Sequence, residues 1–355
     1  MLDAEAALAA ACAAADLIPA EHARRIGTSA SGLTLDVEAI AAESAASGTS
    51  VIPLIARLRA AVGTDAAPSV HFGATSQDIV DSASMLVAHN SLDVILADLA
   101  AAADAAAALA DRYRDTPMIA RTLMQQALPT TFGLKAANWA IGLDRVNERL
   151  ESIRAAGLAV QLGGAAGTLA AYGTHGARVV ELFAERLGLR APIAPWHTER
   201  TRVGDLAAAL GIAAGALAKP ALDVVLMAQT EVGEVAEGVS SRGASSAMPH
   251  KHNPVAAITV LAGARRATGL AAIILGAVPH EHERAAGNWQ AEWLTLRELL
   301  VEIGSASAWL RDCLEHLEVD TTRMAHNMGA TRADLASATA LVDTILDDRR
   351  RRRAR

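Results

Sequence analysis

The sequence predicts an all-α protein built on a bundle of long helices, and three observations carry that prediction. Alanine supplies 83 of the 355 residues, and alanine has the strongest intrinsic preference for helix. Only ten residues are Phe, Trp or Tyr, although aromatic and β-branched side chains are what strands favour. Apolar residues also recur at helical spacing over about five segments, each far longer than the average helix of roughly 11–12 residues. With 52% hydrophobic and 20% charged residues, the chain is too apolar to stay disordered. Cys12 and Cys313 are the only cysteines, which excludes a disulfide scaffold and suits a reducing cytoplasm.

The elements follow in order. The opening stretch MLDAEAALAAACAAADL is apolar, but Asp3, Glu5 and the lack of a basic leader argue against a secretory signal. Residues 1–90 are read as an N-terminal helical domain, 91–320 as the central bundle, and 321–355 as a short C-terminal segment with an Arg-rich tail. In the centre, residues 90–114 carry Asp93, Asp98, Asp104 and Asp111 along roughly one flank of a long helix. A short irregular stretch follows Pro117, and Pro129 is read as opening a second helix that runs through Trp139 to about Arg154. Gly163-Gly164-Ala165-Ala166-Gly167 is a turn; it follows no readable strand and so is no dinucleotide fingerprint. A shorter helix spans 175–188, and 191–195 is a proline-bearing linker. Residues 202–239 are helical with an interruption near 211–220. The pattern breaks over 240–253, Pro254 suits a first helical turn, and helices over 254–277 and 288–317 complete the bundle. Asp98, Asp104, Arg265 and Arg266 interrupt the longest apolar stretches, so none reads as a membrane span.

Net charge is −7, but Arg349–Arg353 and Arg355 distort it: residues 1–348 hold 26 Lys and Arg against 39 Asp and Glu. An acidic body argues against a nucleic-acid surface, and the basic tail reads as a disordered, solvated end.

Chemistry concentrates in three polar stretches. Within nine residues, Ser245, Ser246, Lys251 and Asn253 offer two hydroxyls, an ammonium and a carboxamide. Such groups suit moving a proton beside a carboxylate while stabilising the charge that develops; composition alone would also fit a plain interhelical loop. In the second stretch, His71 to Asp78, Thr75 with Asp78 three residues on resembles a capping box. Backbone N–H groups at such a helix start equally make a carboxylate site. Cations at His197, Arg200, Arg202 and Arg284 could reach a carboxylate or simply face solvent. His280-Glu281-His282-Glu283, and His250 with His252, invite a metal reading, but no further cluster with ligand spacing accompanies them, so no metal is expected.

The run Ser245-Ser246-Ala247-Met248-Pro249-His250-Lys251-His252-Asn253-Pro254 resembles the signature loop of the fumarase/aspartase superfamily, departing mainly just before it, at Ala244, where glycine is usual. The resemblance implies that superfamily's fold, a long central helix bundle flanked by smaller helical domains. It also implies a cytoplasmic homotetramer with shared active sites, acting on a small polycarboxylate without a cofactor, a membrane or nucleic acid. Ser245 matches the catalytic base and Ser246 its neighbour, while Lys251 and Asn253 match residues that bind carboxylate and steady the charged intermediate. Thr75 and Ser76, with His71, match a carboxylate-binding region; Gln125 and Arg284 are carried over as substrate-binding residues.

The third stretch, Arg121 to Thr130, departs from the superfamily pattern. Most superfamily lyases place a catalytic histidine after the residue matching Thr122 and pair it with a glutamate four residues beyond the signature Asn-Pro. Here those positions are Leu123 and Ile258. The bacterial 3-carboxy-cis,cis-muconate cycloisomerase group also lacks this pair. The chain resembles that group over roughly residues 1–320, including Gln125–Pro129, Pro195–Thr198, Glu281–Arg284, Trp289 and Glu292-Trp293. The implied reaction is lactone formation by addition of a carboxylate across an alkene, with Ser245 or Lys251 moving the proton. An adenylosuccinate-type elimination and a non-catalytic helical scaffold are the alternatives.

Overall fold

A computed structural model describes residues 1–239, 242–248, 251–331 and 334–354. Four helices open the chain: α1 (Leu2–Ala14), α2 (Ala20–Gly32), α3 (Val37–Ser47) and α4 (Val51–Ala66). Helix α1 buries Ala4, Ala7, Leu8, Ala11 and Cys12 together, because small side chains let neighbouring backbones come close. The Asp36 carboxylate caps α3 by accepting the Ala39 N–H at 2.9 Å, the usual use of a side-chain acceptor at an orphaned first turn. Helix α5 (Ser76–Arg112) is one element of 37 residues, about 55 Å long. It absorbs the segment expected to begin near residue 90, since nothing between Ile79 and Asn90 breaks a helix.

The stretch after Pro117 is a hairpin, which corrects the expected irregular segment. Strand β1 (Pro117–Thr122) pairs antiparallel with β2 (Gln125–Thr131). Leu123 and Met124 form the two-residue loop with φ of 49° and 66°, the left-handed pair that a tight hairpin turn needs and that Asn-Gly normally supplies. Pro129 lies within β2 and does not open a helix. It faces Ile119 beside a shift in register, where its missing N–H is tolerated. The next helix, α6 (Phe132–Ser152), starts instead at Thr131, whose Oγ1 accepts the Leu134 N–H at 3.1 Å.

Helices α7 (Gly176–Leu187) and α8 (Thr201–Met227) follow. The expected interruption near 211–220 is absent: α8 runs through Pro220. Burial of Leu217, Ala221 and Val224 around it offsets the roughly 3 kcal/mol that a mid-helix proline costs. The remaining elements are β3 (Val235–Glu237), α9 (Val255–Ala277), α10 (Asn288–Glu315), β4 (Leu317–Val319), α11 (Thr321–Met328) and α12 (Ala336–Arg353), with β3 paired antiparallel to β4. Five helices, α5, α6, α8, α9 and α10, have 21 or more residues. By length and composition alone α8 and α9 could cross a membrane, although the charges at Arg265 and Arg266 led to the expectation that no stretch is a membrane span.

The chain forms two compact units that alternate along the sequence. One comprises 1–90, 152–206 and 273–294; the other comprises 91–151, 207–272 and 295–355. The first has an aliphatic core around Leu54, Leu58 and Ile79. In the second, Phe132 packs edge-on between Tyr113 and Trp139, at ring separations of 5.6 and 5.8 Å. The basic tail also departs from expectation, being the end of helix α12. Arg349 is buried against Asp104 and Asp144, at 2.7 and 2.8 Å, and Arg352 reaches Glu148 at 3.1 Å.

Candidate active site

In the first unit the expected carboxylate-binding residues converge on the start of α5. The loop over residues 70–75 leads into Ser76, the first helical residue. Among the described residues, the Ser76 and Gln77 N–H groups donate to no acceptor in the chain. They are the free donors of a helix N-terminus, where the backbone dipole favours an anion. Arg284 arrives from beyond α9: its Nη1 donates to Thr75 Oγ1 at 3.0 Å and its Nη2 to the Ala165 carbonyl at 3.1 Å. Thr75, Ser76 and Arg284 therefore make a donor-rich cradle of a kind that recognises carboxylate. Of the capping box expected here, only half forms: Asp78 accepts the Thr75 N–H at 2.9 Å, while the Thr75 hydroxyl faces Arg284.

Asp78 is the underside of that cradle. Besides Thr75 it accepts the Gly163 and Gly164 N–H groups, both at 2.9 Å, and lies 2.7 Å from His197 Nε2. One buried carboxylate thus clamps three loops. At Gly164, with φ of +72°, an added Cβ would sit 2.8 Å from the Gly73 carbonyl, so the close approach of two of those loops requires glycine. Arg200 ties the next layer together. It is fully buried, bonds Asp81 through Nη1 at 2.7 Å and Glu292 through Nε at 3.1 Å, and stacks on Trp196 at 4.8 Å. Arg202 donates to the Gly157 carbonyl and lies over the same Trp196 ring. His197 and Arg200 are therefore buried and committed to protein partners, while the half-buried Arg202 commits one nitrogen to a backbone carbonyl.

His71 lies in the loop that carries Thr75, with its backbone in the left-handed region at φ of 62°. Its Nδ1 is 2.6 Å from Glu5 Oε1 of α1. In the sequence Glu5 stands out only as a charge near the N-terminus. No local signal could have found it, because α1 is apolar on every side and its burial of Glu5 beside Ala4, Ala7, Leu8 and Ala11 is visible only in the structure. In the His-Glu-His-Glu run, His280 lies 3.2 Å from Glu292 and Glu281 accepts the Ala286 N–H. Backbone N–H donors hold the exposed Glu281 carboxyl below the usual range. Among the described residues no group of three or more His, Cys, Asp or Glu is gathered as a metal site, and His250 lies outside the described residues.

The second unit holds the signature loop. Its base closes where Asn253 donates both its backbone N–H and its carboxamide N–H to the Gly243 carbonyl, each at 2.9 Å, beside an Ala244–His252 bridge. Gly243 has φ of +79°, and an added Cβ would fall 2.2 Å from the Asn253 carbonyl oxygen. Ser245 Oγ accepts the Met248 N–H at 3.2 Å, which fixes a turn; Ser246 and Lys251 are exposed. Beneath the loop, buried Glu237 accepts the first N–H groups of α9, from Ala256 and Ala257 at 3.2 and 3.0 Å, and takes Arg242 Nε at 3.2 Å. Ser245, Ser246, Lys251 and Asn253 thus share one closed loop.

Gln125 lies in the same unit, exposed at the end of the hairpin opposite Thr122. Next to it Leu123 is 96% exposed, and Ile258 is exposed on α9. The hairpin is anchored behind its tip by Arg121, which forks onto buried Glu234 at 2.7 and 2.9 Å. The site residues thus fall into two sets: Thr75, Ser76, His71 and Arg284 in one unit; Ser245, Ser246, Lys251, Asn253 and Gln125 in the other.

A family model described as lyase matches residues 1–269. The chain is 48% identical to a 3-carboxy-cis,cis-muconate cycloisomerase of Bradyrhizobium diazoefficiens, over 93% of this chain and 74% of that protein. It is 42% identical to a nitrosuccinate lyase of Streptomyces davaonensis, over 95% and 73%. The crystal structure of the β-carboxy-cis,cis-muconate cycloisomerase from Acinetobacter calcoaceticus superposes with a TM-score of 0.87 at 38% identity, over 93% of this chain and 75% of that one.

Proposed function

Because the chain belongs to the lyase family of the fumarase/aspartase superfamily, we propose that it acts as a 3-carboxy-cis,cis-muconate cycloisomerase in the protocatechuate branch of aromatic catabolism. The observation that carries this reading is 41–48% identity to several such cycloisomerases over more than nine-tenths of the chain. One carboxylate of the substrate adds to an alkene carbon and closes a five-membered lactone. Negative charge then builds on the carbon beside another carboxylate until a proton arrives there. Thr75, Ser76 and Arg284 hold substrate carboxylates, Lys251 and Asn253 stabilise the charge, and Ser245 lies on the same loop to handle a proton. Donors fixed in advance are what such a carbanion-like state needs, and no cofactor takes part.

The working form in this proposal is a homotetramer whose sites combine residues of several subunits. Apolar side chains left uncovered in the single chain support it: Leu123, Met124 and Leu128 on the hairpin, and Ile258, Ile273 and Leu275 on α9. Large exposed apolar faces of this kind mark interfaces. The proposed location is the cytoplasm, with which two free, buried cysteines agree. Incubating the purified protein with 3-carboxymuconate and, separately, with adenylosuccinate, each followed in the ultraviolet, tests the reading. Turnover of 3-carboxymuconate that Ser245→Ala and Lys251→Ala abolish supports it, and turnover of adenylosuccinate alone overturns it.

A further inference from the structure

We propose that His71, held by the buried carboxylate of Glu5, is the proton donor that completes lactone formation. The inference rests on the cycloisomerase reading and reassigns to His71 the delivery of the proton to carbon that the resemblance placed on Ser245 or Lys251. The positions at which superfamily lyases carry a catalytic histidine and its glutamate are Leu123 and Ile258, both exposed and apolar. A different His/Glu pair is formed from the loop that leads into the carboxylate cradle. His71 Nδ1 lies 2.6 Å from Glu5 Oε1, and His71 is four residues before Thr75, whose hydroxyl Arg284 bonds.

Three features separate this pair from ordinary packing. Glu5 is 1% exposed, and its second oxygen, Oε2, is buried without a hydrogen-bond partner among the described residues. A half-satisfied buried carboxylate costs stability, and every neighbouring buried position of α1 uses a small or aliphatic side chain, Ala4, Ala7, Leu8 and Ala11 among them. His71 is also held at φ of 62°, a conformation that costs a non-glycine residue free energy and collects at functional sites. Finally, the His71 side chain remains partly open, and among the described residues Nε2 has no partner. With Nδ1–H given to Glu5, Nε2 is the nitrogen free to carry a proton to a ligand.

The step balances. The substrate is a tricarboxylate trianion; one carboxylate oxygen forms the C–O bond of the lactone, and the alkene π pair moves to the carbon beside another carboxylate. The His71 imidazolium gives its Nε2 proton to that carbon, forming the C–H bond of a dianionic product. The neutral ring, still donating Nδ1–H to Glu5, then regains a proton from solvent.

The test uses the full-length protein with 3-carboxymuconate as substrate, measuring kcat and KM across about pH 5–8. Titratable and charged groups around the pair are the Met1 amine, Cys12 and Tyr172 about Glu5, with Asp78 beyond them near Tyr172. Arg59 and His22 lie against Val70 and Ser69 of the loop. Only a change confined to His71 variants therefore identifies the ring. His71→Asn and His71→Gln are expected to lower kcat by roughly 10²–10⁴-fold with KM kept, and to change the pH profile of kcat from that of the wild type. Added imidazole should restore part of the activity of His71→Ala. Glu5→Gln, a positioning change, should lower kcat by roughly 10–100-fold and leave the His71-dependent part of the profile in place. A rise in KM with unchanged kcat in folded His71→Asn and His71→Gln, or a pH profile identical to wild type, overturns the proposal. If the wild type itself leaves 3-carboxymuconate intact, the cycloisomerase reading fails first, and this proposal falls with it.

Discussion

Replacing Gly243 by alanine isolates the geometry of the signature loop. At φ of +79° the new Cβ would lie 2.2 Å from the Asn253 carbonyl oxygen and 3.0 Å from its nitrogen, against ordinary contact near 3.5 Å. The Asn253 backbone must therefore retreat by about 1 Å, which breaks the two 2.9 Å bonds it makes to the Gly243 carbonyl. Each is worth roughly 0.5–1.5 kcal/mol, and the left-handed backbone adds about 1–2 kcal/mol for a residue with a Cβ. The loop that holds Ser245 and Lys251 thus loses on the order of 2–5 kcal/mol. At 1.36 kcal/mol per factor of ten, that is about thirtyfold to a few thousandfold in kcat/KM. The assay is steady-state lactone formation, with far-UV circular dichroism showing that the helices remain. Gly27→Ala is the control: it lies within α2, and an added Cβ there meets nothing within 4 Å. It should stabilise by about 0.5–1 kcal/mol with activity unchanged. A Gly243→Ala protein with wild-type kcat/KM would refute the claim that closure at Asn253 positions the loop.

Three further outcomes are expected. Changing Leu123-Met124 to Asn-Gly relieves two left-handed side-chain residues and should raise stability by about 1–2 kcal/mol in urea unfolding; an unchanged midpoint would contradict the turn assignment. Arg200→Ala leaves Asp81 and Glu292 buried without their shared cation and should cost about 3–5 kcal/mol, so a loss below about 1 kcal/mol would show the pair to be solvated. Burial pushes the Cys12 thiol up to about 12 and raises Cys313 further still from its ordinary value. Both thiols stay protonated at neutral pH because their thiolates form only far above it. They should therefore react with a thiol reagent only on unfolding, and prompt modification of the native protein would contradict their burial.

The long helices were legible because alanine-rich, periodic segments of more than 20 residues state their own conformation. The hairpin was not, since its turn is built from Leu123-Met124, which carry no local turn signal, and Pro129 looks like a helix start until Ile119 is seen opposite it. The arginine run read as solvated because the acids that hold Arg349 lie about 200 residues earlier, at Asp104 and Asp144. Separations of 119 and 92 residues likewise hid Arg200 from Asp81 and Glu292. The cradle was half legible: Thr75, Ser76 and Arg284 were each recognisable, and the structure adds the contact between Thr75 and Arg284 and the Asp78 clamp below it. Glu5 went unread, because nothing local distinguishes a buried acid of an amphipathic-free helix from a solvated one.

Addition without elimination is the defining property of a cycloisomerase. Incubating the purified protein with 3-carboxymuconate in D₂O and recording the proton NMR spectrum of the product measures this directly. The expected product is a single lactone carrying one solvent-derived deuterium on the carbon beside a carboxylate. Release of fumarate from an adenylosuccinate-type substrate, with 3-carboxymuconate recovered unchanged, would contradict it.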